Sequence, residues 1–314
     1  MRKVAVKQLD VRRPIFMVGM PRSGTTVISE AISLHPELAW VSNYVGRLPG
    51  VPVVSIIDRI VNGNRYGWWL RGKKNQAGTL GSYMKRFLPH TDESYGIWRR
   101  CCGEKFLSEY LIDTAATASE KRCIERYIGR ILRWQNRERF FTKFTGPPRI
   151  GYLESMFPDA YFVHVVRDPR AVAASLKKVE FWQRGGGLER PWWTEGFPDE
   201  YRKVWQASDH QEMVLAALQW KWIVELTWSE AAKIPEGHYL EVKYEDFIEQ
   251  PKELLSAVFD KLGLMYAKAP FKYLERHGQL SNMNDKYKQV LDEGEIAEVE
   301  SVTFPVATEA GYVF

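Results

Sequence analysis

Apolar residues in this chain gather into short runs: PIFMVGM at 14–20, FFTKF at 140–144, AYFVHVV at 160–166 and HYLEVKY at 238–244. Each has the length and the β-branched or aromatic content of a buried strand, and each lies near a segment with helical spacing. Strands that alternate with helices predict a three-layer α/β fold with a central, mainly parallel sheet flanked by helices. Helix boundaries are legible in places. Thr25 or Thr26 can start a helix that ends before Pro36, and Asp168 offers an N-cap followed by Pro169 at the first helical position. Pro251, after Gln250, opens another helix that Gly263 closes, and residues 211–232 read as one long Trp-rich helix.

Two stretches resist this pattern. Residues 44–100 and 180–208 carry Gly, Pro and paired aromatics (Trp68 with Trp69, Phe181 with Trp182, Trp192 with Trp193) without a sustained period. Within 1–314 they read as loop insertions in a single domain, of the kind that forms lids or binding loops. A composition of 45% apolar and 26% charged residues supports a soluble globular protein with a substantial core. The net charge of +5 suits an anionic ligand but is too mild to indicate nucleic acid. Arg122, Arg126, Arg130, Arg133, Arg137 and Arg139 recur at helical spacing, and we read them as a solvated face. Adjacent Cys101 and Cys102, with Cys123, form neither a disulfide framework nor a metal-ligand spacing, which predicts a reducing compartment. No signal-like N-terminus and no membrane-length apolar run is present, so a cytoplasmic location without a membrane partner is expected.

Chemistry concentrates in GMPRSGTT, residues 19–26, which joins the first apolar run to the first helix. Gly19 and Gly24 keep the spacing of a phosphate-binding loop, GxxxxGK[ST], making the fold P-loop-like. Such a turn aims backbone N–H groups and a helix dipole at one anion. Thr25 stands where the usual lysine would be; the cation is Arg22, inside the loop, and the hydroxyls are Ser23, Thr25 and Thr26. No run ends in a lone Asp with further ligands around it, so no metal site is predicted. In VVRDPRAVAAS, residues 165–175, Arg167 ends a strand, Asp168 caps a helix and Ser175 sits along it. One arginine and one hydroxyl so placed can hold a second phosphate.

Together these segments resemble the sulfotransferases that use 3'-phosphoadenosine-5'-phosphosulfate (PAPS) and release adenosine 3',5'-bisphosphate (PAP). The PRSGTT form is similar to the Golgi, tyrosylprotein and bacterial branch. The resemblance implies that Arg22, Ser23, Gly24, Thr25 and Thr26 bind the 5'-phosphosulfate and that Arg167 and Ser175 bind the 3'-phosphate. It places a catalytic lysine at Lys143, and we expect Arg22 and Lys143 together to stabilise charge during the transfer; it also places an adenine neighbour at Tyr244, in KYEDF. NMNDKYKQVL is similar to a cofactor-covering NxxKW segment, with Tyr287 in place of Trp and Lys286 or Lys288 adding charge.

The general base departs from the family. Asn43 stands near the position of the tyrosylprotein branch's Glu, and Thr145 stands where the cytosolic branch has His. Asp92 and Glu93, in PHTDESYGIW with His90, are the remaining candidates, and Glu93 is our choice. His164, between valines, reads as a core histidine. Trp192, Trp193 and Asp92 are expected to line an acceptor pocket, with Trp68 and Trp69 as further candidates. A soluble small molecule bearing a hydroxyl or amine is the expected acceptor; a glycan or a protein tyrosine is the alternative. A nucleotide- or nucleic-acid-binding protein without catalysis is the rival of another class. No nucleic-acid partner is expected, and oligomeric state is left open.

Overall fold

A computed structural model describes residues 10–63, 88–277 and 282–314. Its sheet has five parallel strands in the order β2-β3-β1-β4-β5: β1 Ile15–Val18, β2 Leu38–Ala39, β3 Arg139–Lys143, β4 Tyr161–Val166 and β5 Tyr239–Lys243. All four apolar runs became strands. The sequence missed β2, whose two residues are too few to form a run after Pro36. It pairs in parallel with β3, Leu38 opposite Arg139.

Both sheet faces are apolar, which explains why the runs are continuous rather than alternating. Phe16, Phe140 and Phe162 turn to one face, where helices Tyr95–Cys102, Ala118–Gln135 and Ile150–Met156 cover them. Ile15, Met17, Phe141 and Val163 turn to the other, under helices Thr25–Ile32, Pro251–Leu262 and Lys268–His277. A third cluster joins helices Pro169–Lys177, Glu212–Ala231 and Glu293–Glu309 around Trp220, Val172 and Val299. β1 lies at the centre, and the chain leaves it toward β2 on one side and later returns to β4 on the other. The strand order therefore reverses at the carboxyl end of β1, where open α/β sheets bind ligands.

The cap readings hold: Asp168 Oδ1 accepts the N–H of Arg170, Pro169 starts its helix, and Gly263 closes Pro251–Leu262 in the left-handed region. Within the stretches expected to be irregular, short helices form at Asn43–Arg47, Ile56–Gly63, Glu180–Arg184 and Asp199–Ala207. Trp68 and Trp69 lie outside the described residues. No helix among the described residues is long and apolar enough to cross a membrane.

Two sequence expectations are corrected. Cys101 and Cys123 are joined by a disulfide, because helices Tyr95–Cys102 and Ala118–Gln135 pack side by side and bring their Cα atoms within 5.5 Å. That closed bond removes the cysteine-based reason for expecting a reducing compartment. Cys102 alone remains a thiol; burial pushes it up to about 11. The arginine row also divides. Arg122, Arg126, Arg130 and Arg133 are exposed as read, but Arg139 belongs to β3 and is buried, donating to the carbonyls of Arg13 at 2.9 Å and Leu262 at 2.7 Å. Burial, with Arg13 adding repulsion, lowers its pKa to about 10. His164 is a core histidine as expected, with Nδ1 2.9 Å from Tyr239 Oη and 3.2 Å from Glu241 Oε2.

Candidate functional site

The loop after β1 is built to leave donors facing outward. Ser23 N donates to Met20 O at 3.2 Å, which folds the turn back. The first-turn amides of helix Thr25–Ile32, like those of any α-helix, have no carbonyl within the helix to donate to, and no side chain caps them. Gly24 sits at φ 79°, and a Cβ there would lie 2.1 Å from Cδ2 of Tyr244. Only glycine admits both that backbone and that ring. Ser23 is buried, and its Oγ has no hydrogen-bond partner among the described residues. A hydroxyl left so needs a ligand to complete it.

Lys143 ends β3 beside Met17, 7% exposed, and its Nζ donates to Thr26 Oγ1 at 3.0 Å. Glu93 comes to the same place: its Oε1 is 3.7 Å from Lys143 Nζ, and its Oε2 accepts from Thr145 Oγ1 at 2.9 Å. The carbonyl of Thr145 in turn accepts the Tyr95 phenol at 2.6 Å. Burial first, and then the Glu93 charge, hold that phenol protonated far above its ordinary value. Asp92 is turned elsewhere, its Oδ2 lying where a Cβ on Gly46 would stand 1.9 Å away. Asn43, at the position of a relative's base, accepts the N–H of His90 at 3.1 Å.

The second segment meets the first directly. Arg167, at the end of β4, donates from Nη1 to Arg22 O at 2.9 Å, and Arg22 Nε donates to Ser175 Oγ at 2.8 Å. Arg167 also stacks over the Tyr244 ring, 4.4 Å from its centroid. Burial, with Arg167 close by, lowers the pKa of Arg22. Two guanidiniums held this close favour an anion between them. The Arg22 guanidinium points to Ser175 rather than along the loop toward Lys143.

Lys286 and Lys288 are exposed, with Lys288 Nζ 4.0 Å from Asp285. It is Asn284 from that segment that reaches the site, accepting Arg167 Nε at 2.9 Å. Trp193 is 4% exposed and packs against Gly146, where a Cβ would lie 2.2 Å from its ring. Trp192 is half-buried and stacks on Trp182 at 4.6 Å. Sequence reasoning named Thr145 only as standing in place of a base, and it passed over Glu245 and Asn284, which were signalled only by the KYEDF and NMNDKYKQVL segments that contain them. Among the described residues, no group of three or more His, Cys, Asp or Glu is placed to hold a metal ion.

A parallel α/β sheet, a glycine loop at the end of its central strand and three cationic side chains around that loop form a site suited to an anionic group. The chain belongs to the Sulfotransferase family, whose model matches residues 14–268, and it is accordingly a sulfotransferase, a transferase of sulfuryl groups. Among solved structures it is similar to a sulfotransferase from Mycobacterium avium, with TM-score 0.58, 16% identity, and coverage of 95% of this chain and 77% of that one. It is also similar to the sulfotransferase domain of the curacin biosynthetic pathway, with TM-score 0.56, 13% identity, and coverage of 97% and 99%. A third likeness is to the sulfotransferase domain of the Synechococcus PCC 7002 olefin synthase, with TM-score 0.51, 16% identity, and coverage of 98% of each chain. At these identities the likenesses concern the fold. No curated protein matches the chain.

Proposed function

We propose that the sulfuryl donor is PAPS and that the acceptor is a soluble small molecule presenting a hydroxyl or an amine. The observation that carries the donor assignment is the meeting of the two segments, Arg167 on Arg22 O and Arg22 on Ser175, beside the open amides of the loop. A nucleotide with phosphates at both ends of its ribose matches two donor clusters that share one wall. The unpartnered Ser23 Oγ and the Gly24 cradle under Tyr244 fit the 5' end.

PAPS, when bound, supplies an activated sulfuryl group and a phosphate leaving group. The chain's residues then have separable tasks. Loop amides, Ser23 and Thr25 orient the 5' end; Arg167 and Ser175 hold the 3' end. Lys143, already directed at Thr26, stabilises negative charge as it grows on the leaving oxygen. Glu93, held by Thr145 and 3.7 Å from Lys143 Nζ, takes the proton from the acceptor. Glu93→Gln is expected to keep PAP affinity and lose about 10²–10⁴-fold in turnover; unchanged turnover would remove Glu93 from the reaction.

A thermal-shift comparison tests the donor. PAP should stabilise the protein in the absence of magnesium, and ATP should do no better; stabilisation by ATP with magnesium alone would overturn the assignment. A screen with labelled PAPS against phenols, aminoglycosides, alkaloids and oligosaccharides, with a tyrosine peptide alongside, identifies the acceptor. Transfer only to oligosaccharide or peptide would replace the small-molecule reading.

A further inference from the structure

Glu245 has no task in the reaction as described, yet three elements converge on its carboxylate. Oε1 accepts the backbone N–H of Asp168 at 3.1 Å and the side-chain Nδ2 of Asn284; Oε2 accepts the Tyr312 phenol at 2.9 Å. Asn284 passes the contact on, because its Oδ1 accepts Arg167 Nε at 2.9 Å. A carboxylate only accepts and a guanidinium only donates. Between them the amide has a single orientation, nitrogen to Glu245 and oxygen to Arg167. Reversing it would set donor against donor and acceptor against acceptor.

That chain fixes the rotation of the guanidinium. Nε is held by Asn284, Nη1 by Arg22 O, and the plane by the Tyr244 ring at 4.4 Å. Nη2 makes no hydrogen bond among the described residues and is the edge left for a ligand. Without Asn284 the guanidinium keeps one in-plane bond and can swing about it.

We propose that Glu245 is a positioning residue for the 3'-phosphate: through Asn284 it sets the plane and edge of Arg167, and through Tyr312 it ties that setting to the docked C-terminal segment. This inference rests on reading Arg167 with Ser175 as the 3'-phosphate site. The segment has a second, independent anchor in Arg170, which bonds Asp168 at 2.7 Å and Glu300 at 2.9 Å and lies over the rings of Tyr287 and Phe314 at 5.0 and 4.7 Å. Loss of Glu245 therefore leaves the segment docked and acts on Arg167.

The experiment is calorimetry of the full chain with two probes, PAP and adenosine 5'-phosphate, which differ only in the 3'-phosphate. Glu245→Ala and Asn284→Ala should each weaken PAP about tenfold, the scale of one lost bond to a charged group, and leave adenosine 5'-phosphate within about twofold. The double variant should be no weaker than either single by more than about twofold, because both act along one chain of contacts. Wild-type preference for PAP with unchanged preference in both variants overturns the role of Glu245 alone. A wild-type protein that binds both probes equally overturns the 3'-phosphate site and this inference with it. If Glu245→Ala does not fold, Asn284→Ala decides by the same comparison.

Discussion

Lys143→Ala should lower turnover with labelled PAPS about 10²–10³-fold, the cost of removing one preorganised charge-stabilising donor. The side chain is placed for that task before any ligand arrives. It stands at the end of β3, 7% exposed, in register with Met17 of the strand that feeds the loop, and Nζ is 3.0 Å from Thr26 Oγ1. Such a donor needs no reorganisation when charge develops. Affinity for PAP should fall by much less than turnover, because on the proposed reading the loop amides and Arg167 still hold both of its phosphates. Single-turnover rates and PAP affinity, measured together, check the assignment. Near-normal single-turnover rates would remove Lys143 from the chemistry, and an equal loss in both quantities would make it a binding residue only.

Arg167→Ala should weaken PAP about 10²–10⁴-fold, at roughly 1.5–3 kcal/mol for each of two hydrogen bonds to a charged group. Adenosine 5'-phosphate should lose much less. Besides its expected phosphate contact, Arg167 ties β4 to the loop through Arg22 O and to the C-terminal segment through Asn284, and it covers Tyr244. Lysine should not rescue the loss: an ammonium is a point charge and cannot hold Asn284 and Arg22 O while offering a third edge to a phosphate. Arg167→Lys with wild-type PAP affinity would show that charge alone matters. Titration of both nucleotides into both variants provides the check, and an equal loss for PAP and adenosine 5'-phosphate would place Arg167 outside the 3' site.

Much of this protein is written locally in its sequence. The strands β1, β3, β4 and β5 are contiguous apolar runs because both faces of the sheet are buried. The cap at Asp168 and the stop at Gly263 act within a few residues. The loop at 19–26 is itself one turn, so its spacing and its strand-then-helix setting point to an anion site without reference to the rest of the chain. Arg167 and Ser175 lie at one strand end and along the helix that follows, which is why both could be picked out from spacing; the structure joins them through Arg22.

Tertiary structure decided what depends on distant pieces meeting. Thr145 holds Glu93 across a separation of 52 residues, and Arg167 meets Asn284 across 117. No periodicity links such partners, because loops and segment docking set those distances. The same holds for Cys101 and Cys123, whose spacing matches no framework and whose bond exists only because two helices pack together. Lys286 and Lys288 looked the better ligands by charge, yet the turn at Asn284–Gln289 exposes both and turns Asn284 inward. The sequence alone determined four of the five strands and the glycine loop, since each rests on neighbours along the chain, and two spaced motifs carried the family resemblance that implied the class of reaction. Folding alone determined which carboxylate faces Lys143 and which side chains hold Arg167 still, since those rest on neighbours in space.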